Sequence, residues 1–490
     1  MLVVVSLMLA MALTAMDSTI VATAIPTIVR DLGGFALFPW VFSIYLLTQA
    51  AMTPIYGKLA DLYGRKPVLI VGSVMFLLGS ALSGISWNMV SLIAFRGLQG
   101  VGAASIMPIV TTLAGDLFTI EERAKMQGYL SSVWGLSAII GPAIGGLFVQ
   151  YASWRWIFYI NIPIGAAALT TLSIFLHENV QHRRHQIDYS GSILLILSIG
   201  LIITGLLEGG VEWNWASLGS FATLGGGILL VILFILWEHR ATEPVLPTWV
   251  FGQRILLAAN LGSLGVGVLT IGLSSYLPTY LQGVLGQTPL AAGFALAAMS
   301  VGWPIASAFS GRLYLRIGFR NTALIGAVVT IGGALGFVSI GSGSSIIEAA
   351  LFSFMTGVGL GLGSTSLVVL IQSIVPWSRR GVVTGANMFT RQLGSTLGVA
   401  VYGTLVNAAL ALAFLHPPTQ VAAHLPHNLD AASLALGGVP HLPVVVLHYV
   451  QGALSLGIHR VFIGVLLVAA FIFLVEWLLP ATIKTVDEHS

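Results

Sequence analysis

Asp17 is a lone carboxyl in an apolar run, Met16-Asp17-Ser18-Thr19-Ile20-Val21-Ala22-Thr23-Ala24-Ile25-Pro26. An ionisable group at membrane depth costs about 2.5–3.5 kcal/mol on insertion scales, so its presence needs a chemical reason. A carboxyl withdrawn from water can load and release a proton as its surroundings change, which makes Asp17 a candidate proton carrier. The alternative is a structural acid hydrogen-bonded to a neighbouring helix. Arg96, in Leu92-Ile93-Ala94-Phe95-Arg96-Gly97-Leu98-Gln99-Gly100, keeps its proton under all ordinary conditions. It can therefore hold a nearby carboxylate ionised, or release it when geometry changes, and is the natural partner of Asp17. Arg391, in Phe389-Thr390-Arg391-Gln392-Leu393-Gly394, is the second helix-borne cation. Two readings stay open for it: it binds an anionic group, or it caps a cluster of carbonyls.

A second set of residues is suited to moving the chain. Residues 57–66 read Gly-Lys-Leu-Ala-Asp-Leu-Tyr-Gly-Arg-Lys, and 254 positions later Gly57, Leu59, Gly64 and Lys66 reappear as Gly311, Leu313, Gly318 and Arg320. The glycines permit a tight reversal. Asp61 is placed to accept from the amino-terminal amides of the following helix, with Arg65 and Lys66 gripping the membrane interface. Such a clasp can hold one conformation closed, so Gly57, Asp61, Gly64, Arg65 and Lys66 form a candidate switch. Leu315 stands where Asp61 stands in the first copy, which confines any charge relay to the first half. Further on, Gly135 to Gly146 reads Gly-Leu-Ser-Ala-Ile-Ile-Gly-Pro-Ala-Ile-Gly-Gly. Pro142 removes a helix hydrogen bond, while Gly141, Gly145 and Gly146 admit a second backbone, so a bendable, close-packed helix is expected. The run Gly357 to Gly363 is read as packing and not as a phosphate cradle.

These groups must be positioned by membrane-spanning helices. Hydrophobic residues are 57% of the 490-residue chain and charged ones 8%, a balance that suits a surface facing lipid. The chain has no cysteine, which excludes disulfides, thiolate metal sites and cysteine nucleophiles. The net charge of +3 comes from scattered loop residues, so nucleic acid is not an expected partner. The first 15 residues lack the basic leader of a signal peptide and run on to Pro26, so they are read as a first span that stays.

Apolar segments long enough to cross, about 20 residues each, fall near 2–25, 37–57, 67–86, 89–113, 127–150, 156–177, 190–208, 218–237, 255–282, 290–311, 322–341, 347–371, 384–408 and 459–479. With a cytoplasmic amino terminus, 15 of the 20 basic residues fall inside, and the positive-inside rule fixes that orientation, with both termini cytoplasmic. A charged turn repeated at half the chain length, between such spans, indicates two related halves and hence a transporter. An outer loop at about 409–458 carries His416, His424, His427, His441 and His448. No two of them have helical ligand spacing, so no metal site is assigned and a plain loop is expected.

Together these segments resemble the major facilitator superfamily, and within it the fourteen-helix drug:proton antiporter branch. Asp17 to Pro26 is similar to that branch's first-helix signature, residues 57–69 to the superfamily's cytoplasmic-loop motif, and Leu92 to Ala104 to the fourth-helix arginine motif. Gly135 to Gly146 is similar to the fifth-helix antiporter motif, and Trp154 to Pro163 and Arg391 to Gly394 also look typical of the branch. The resemblance implies an all-α polytopic protein: one six-helix bundle over 1–177, two added helices over 178–252, and a second six-helix bundle over 253–490. It implies export of amphipathic compounds in exchange for protons, in a bacterial cytoplasmic membrane, by a monomer with no cofactor beyond the proton gradient.

Within such a fold the expected cavity residues are Tyr45, Gln49, Trp134, Asn161, Tyr276, Tyr280, Gln282, Trp303 and Arg391, whose aromatic or polar tips suit flat amphipathic ligands. A dedicated exporter of one metabolite or self-made antibiotic is the alternative reading. A membrane enzyme would need clustered ligands or a nucleophile with its base, and the chain offers only isolated charges. ATP-driven pumping lacks support, because Gly57-Lys58 is followed by Leu59, outside any phosphate-loop frame.

Overall fold

The computed structural model describes residues 2–32, 38–176, 178, 188–209, 213–242, 244–341, 343–415, 417–418, 421 and 443–480. The first six spans are α1 (Leu2–Leu32), α2 (Phe38–Tyr63), α3 (Arg65–Gly84), α4 (Met89–Leu117), α5 (Ile120–Tyr151) and the pair α6 (Trp156–Tyr159) and α7 (Asn161–Phe175). Two more follow, α8 (Tyr189–Glu208) and α9 (Leu218–Glu238), then a short α10 (Trp249–Gly252). The last six are α11 (Arg254–Gly283), α12 (Pro289–Ile317), α13 (Phe319–Ser339), α14 (Ile346–Ser373), α15 (Arg380–Leu415) and α16 (Val444–Trp477). The break between α6 and α7 falls where Pro163 has no amide to give to the carbonyl four residues earlier.

Among the described residues, 11 helices are long and apolar enough to cross a membrane. Helices run beyond the apolar stretches that mark them. The apolar run 127–150 sits inside α5, which starts at Ile120, and α16 begins at Val444, well before the apolar run near 459. The extra turn of α5 is charged, Glu121-Glu122-Arg123-Ala124-Lys125, because a helix continues as long as its own hydrogen bonds are satisfied, whereas the extra turns of α16 are largely apolar and belong to the span Val445–Trp477 itself. Starts are set by side-chain caps: Asn88 and Ser91 form a capping box at α4, and Ser345 and Glu348 form another at α14.

The two halves share one packing pattern. In the first, α1 packs on α5 and α7, and α4 on α2 and α3; in the second, α11 packs on α15 and α16, and α14 on α12 and α13. Each half has its own apolar core, around Leu7, Phe76, Ile106 and Leu172 in one and Leu273, Phe337, Tyr402 and Phe462 in the other. Glycines allow the backbones to meet. The run from Gly357 to Gly363 turns Gly357 and Gly361 onto Met299 and Trp303 of α12 and Gly359 onto Gly326 and Thr330 of α13, so its role is packing.

The halves meet along two seams, α2 with α15 and α5 with α12. Of the added pair α8–α9, α8 packs beside the first seam, against α2 and α15, within a cluster that includes Ile55, Leu195, Ile199, Phe234 and Val382. The second seam carries an apolar groove of about 480 Å³ lined by Tyr129, Ser132, Leu136, Ser300, Pro304 and Phe309 among others. Leu136 and Phe309 are more than half exposed, and Trp303 and Trp134 are absent from its lining.

Candidate functional site

Three helices converge on Asp17, which is fully buried. One carboxylate oxygen accepts from Arg96 Nη1 of α4 at 2.5 Å, and the other from Gln99 Nε2 at 2.8 Å and from Asn161 Nδ2 of α7 at 3.3 Å. The spacing of Arg96 and Gln99, three apart on one helix, puts both donors on the same face. Arg96 also donates to Gln99 Oε1 at 2.7 Å and to the Val41 carbonyl at 3.3 Å, and its guanidinium lies 4.2 Å from the Tyr45 ring centroid. Asn161 is held in turn by Ser80, whose hydroxyl donates to the Phe158 carbonyl at 2.9 Å. A buried charge pair is tolerable when further hydrogen bonds satisfy its lone pairs, and this one has them. The structure thus joins Asp17 to Arg96 and draws Tyr45 and Asn161 into the same cluster. Gln99 and Ser80 went unassigned from sequence, although Gln99 lies within the quoted Arg96 motif.

The 57–66 turn has a different arrangement from the one its sequence suggests. Gly64 has φ 95° and Gly318, its counterpart, φ 85°, a conformation that glycine alone adopts freely. Asp61 does not cap α3. Its two oxygens accept from the amides of Gly381 and Val382 at 2.9 and 2.7 Å, at the start of α15 in the other half. The amides of Arg65 and Lys66 are taken by Glu178, at 2.9 and 2.8 Å. The reason is steric: Gly57 lies so close to Gly381 and Gly385 that a Cβ on it would sit 2.7 Å from the Gly381 carbonyl oxygen. That approach brings the free amides of α15 within reach of Asp61, one turn further on.

Arg65 is fully buried. It bonds Asp61 at 2.9 Å, lies 3.0 Å from Asp116 Oδ2, donates to the Trp377 carbonyl at 2.7 Å and stacks 3.7 Å over the Trp377 ring. Lys66 donates to the Ser173 carbonyl at 2.8 Å. Asp116 also pairs with Arg380 at 3.1 Å, and Gln372 donates to the Thr111 carbonyl at 3.1 Å. Asp116, Arg380, Gln372 and Trp377 were missed in the sequence because each works through a partner in the opposite half. The repeat copy touches the first half as well, through the hydroxyl of Tyr314 and the carbonyl of Ile120, while Leu315 is half exposed.

Asp61→Asn is expected to slow turnover by about tenfold with equilibrium ligand affinity changed less than about twofold, since one charge-assisted bond is worth about 1.5–3 kcal/mol and only the closed arrangement contains it. Parallel binding and transport measurements on one preparation test this. A large loss of affinity at normal turnover would contradict it.

In the fifth span, Gly135 abuts the Ser300 carbonyl of α12 and Gly141 abuts Thr19 of α1; Thr19 donates to the Ser137 carbonyl at 3.1 Å. Gly146 faces open space, Gly145 is buried, and the Pro142 side chain lies outside the described residues. The remaining expected cavity residues are spread. Gln49 is buried in α2, Trp134 packs against the first core, and Gln282 and Trp303 are half-buried. Tyr276 meets Tyr402 edge-on at 6.4 Å. Tyr280 lies within the second core, its hydroxyl on the Ile340 carbonyl. Glu476, also unassigned from sequence, is buried beside Gly363. His416, His424, His427 and His441 lie outside the described residues, and no metal-binding group of three or more occurs among the described ones.

Comparison with known proteins agrees with this architecture. The Major Facilitator Superfamily family model matches residues 7–399. The chain is 36% identical over 403 residues to multidrug resistance protein 3 of Bacillus subtilis (strain 168), covering 82% of this chain and 79% of that one. It is 36% identical over 414 residues to the multidrug transporter protein MdtP of the same organism, covering 83% and 75%. Among solved structures, the proton:xylose symporter XylE superposes with a TM-score of 0.62 at 11% identity, over 95% of this chain and 94% of that one, a likeness of fold alone. The chain belongs to the Major Facilitator Superfamily, and is a multi-pass membrane transporter, not an enzyme.

Proposed function

We propose that the protein exports amphipathic small molecules in exchange for protons by alternating access, from a bacterial cytoplasm with both termini on the inner side. The observation that carries this reading is the buried Asp17, gripped by Arg96, Gln99 and Asn161 inside one bundle. An acid on one helix whose partners come from two others is sensitive to any shift among the three, and such a shift lets proton binding and helix position affect one another. The cross-bundle bonds of Asp61, Arg65, Arg380 and Gln372 all lie at the end that carries the 57–66 turn. The basic residues there favour the cytoplasmic side, and the conformation is then closed inward. The multidrug relatives support drugs as the substrate class.

The direct test is reconstituted protein with a panel of amphipathic compounds and an imposed pH gradient. Accumulation of several unrelated compounds is expected, each collapsing when a protonophore dissipates the gradient. Uptake indifferent to the gradient would remove proton exchange, and movement of a single compound would favour the dedicated exporter.

A further inference from the structure

Three buried arginines of this protein bring their own carboxylate: Arg96 has Asp17, Arg65 has Asp61 and Asp116, and Arg380 has Asp116. Arg391 does not. It lies eleven residues into α15, roughly 16 Å along the axis, which is about half the thickness of a hydrocarbon core. It is half-buried, and among the described residues no carboxylate pairs with its guanidinium and no hydrogen bond engages its side chain. A guanidinium capping carbonyls would be bonded to them, so that reading fails. Contact with lipid at this depth would leave five donors unsatisfied in hydrocarbon. The direction left for this side chain is toward the first half, where the adjacent Gln392 meets Thr53 of α2.

The neighbouring residues agree with that direction. The hydroxyl of Thr53 in α2 approaches Gln392 Oε1 at 3.4 Å, which turns this stretch of α15 toward the first half. The Arg391 carbonyl, in contrast, is covered by α11, where Gly267 touches it and Ser395 donates to both carbonyls at 3.3 Å. The backbone of residue 391 is thereby fixed against α11, and its side chain is free of that contact. Its planar fork of donors matches a carboxylate.

We infer that Arg391 is a receptor for the acidic group of a transported amphiphile, so that anionic or zwitterionic compounds are a preferred substrate class. The inference rests on the proposed export of amphipathic compounds through the space between the halves, but not on how protons drive it.

The test is equilibrium binding of dansylglycine and its methyl ester to protein in phosphatidylcholine vesicles without a pH gradient. The acid is expected to bind about tenfold more tightly than the ester, the scale of one charge-assisted pair. Arg391→Met should weaken the acid to the level of the ester and leave the ester unchanged, and Arg391→Lys should restore part of the preference. Equal binding of the two probes by the unaltered protein overturns the inference, and so does an Arg391→Met protein that loses both equally, which marks a packing role. The comparison within unaltered protein stands even if that variant does not fold. Adding phosphatidylglycerol separates the source of the anion: a preference that vanishes with the anionic lipid assigns Arg391 to a headgroup and overturns the substrate reading. Asp17→Asn should keep the acid-over-ester preference, so a failure of proton exchange and a failure of this inference are distinguishable.

Discussion

In Asp17→Asn protein, substrate accumulation driven by a pH gradient in inverted vesicles is expected to fall to the level seen without a gradient. The change is nearly isosteric, and an amide oxygen still accepts from Arg96, which keeps its contacts to Gln99, Val41 and the Tyr45 ring. The protein should therefore fold, as judged by its elution as one species and its retained equilibrium binding. What the variant lacks is a group that takes up and gives away a proton. Downhill exchange of substrate across the membrane should survive, because it needs only the moving halves. Gradient-driven accumulation at the unaltered level would remove Asp17 from the mechanism, and loss of downhill exchange together with accumulation would make it a structural acid.

Gly57→Val should slow the cycle by a steric route. Even the first carbon of a side chain at 57 would lie 2.7 Å from the Gly381 carbonyl oxygen and 3.2 Å from Gly385 Cα, and neither is a flexible side-chain end that can swing aside. Overpacking of this kind costs about 1–3 kcal/mol, enough to lower the closed population roughly tenfold or more at the upper end. Transport should fall by about the same factor. The absence of native cysteine makes the conformational readout clean: spin labels at Lys125→Cys and Arg316→Cys, both exposed near the closed end, should move apart in the Gly57→Val background. An unchanged distance with normal transport would show that the glycine contact is dispensable.

The sequence carried the order and approximate position of the long helices because hydropathy is a one-dimensional quantity, although only 11 of them, among the described residues, are long and apolar enough to cross a membrane. Asp17, Arg96, Gly57 and Gly64 were legible for a similar local reason: a charge in an apolar run, or a glycine at a charged turn, is anomalous where it stands. Gln372, Asp116 and Trp377 were not. A glutamine near a helix end or a tryptophan at an interface is ordinary alone, and acquires a role only when residues 261 to 312 positions away fold onto it. The partner of Asp61 is not legible locally, because the nearest helix start along the chain, α3, is not the one its carboxylate meets in space. Glu178, which occupies that start instead, gives no hint of doing so in a string of letters.

The bond between Asp61 and the start of α15 has a consequence for how this protein can change over generations. One side of it is a carboxylate that a single codon change removes; the other is two main-chain amides that every residue but proline supplies. Drift at position 382 to any residue but proline leaves its amide in place, so the second half can vary there without loosening the contact. Position 381 is different, because a side chain would press on Asp61 itself. Heritable variation in the fastening therefore falls unequally on the two halves: the first must keep a particular acid, and the second only a bare stretch of backbone.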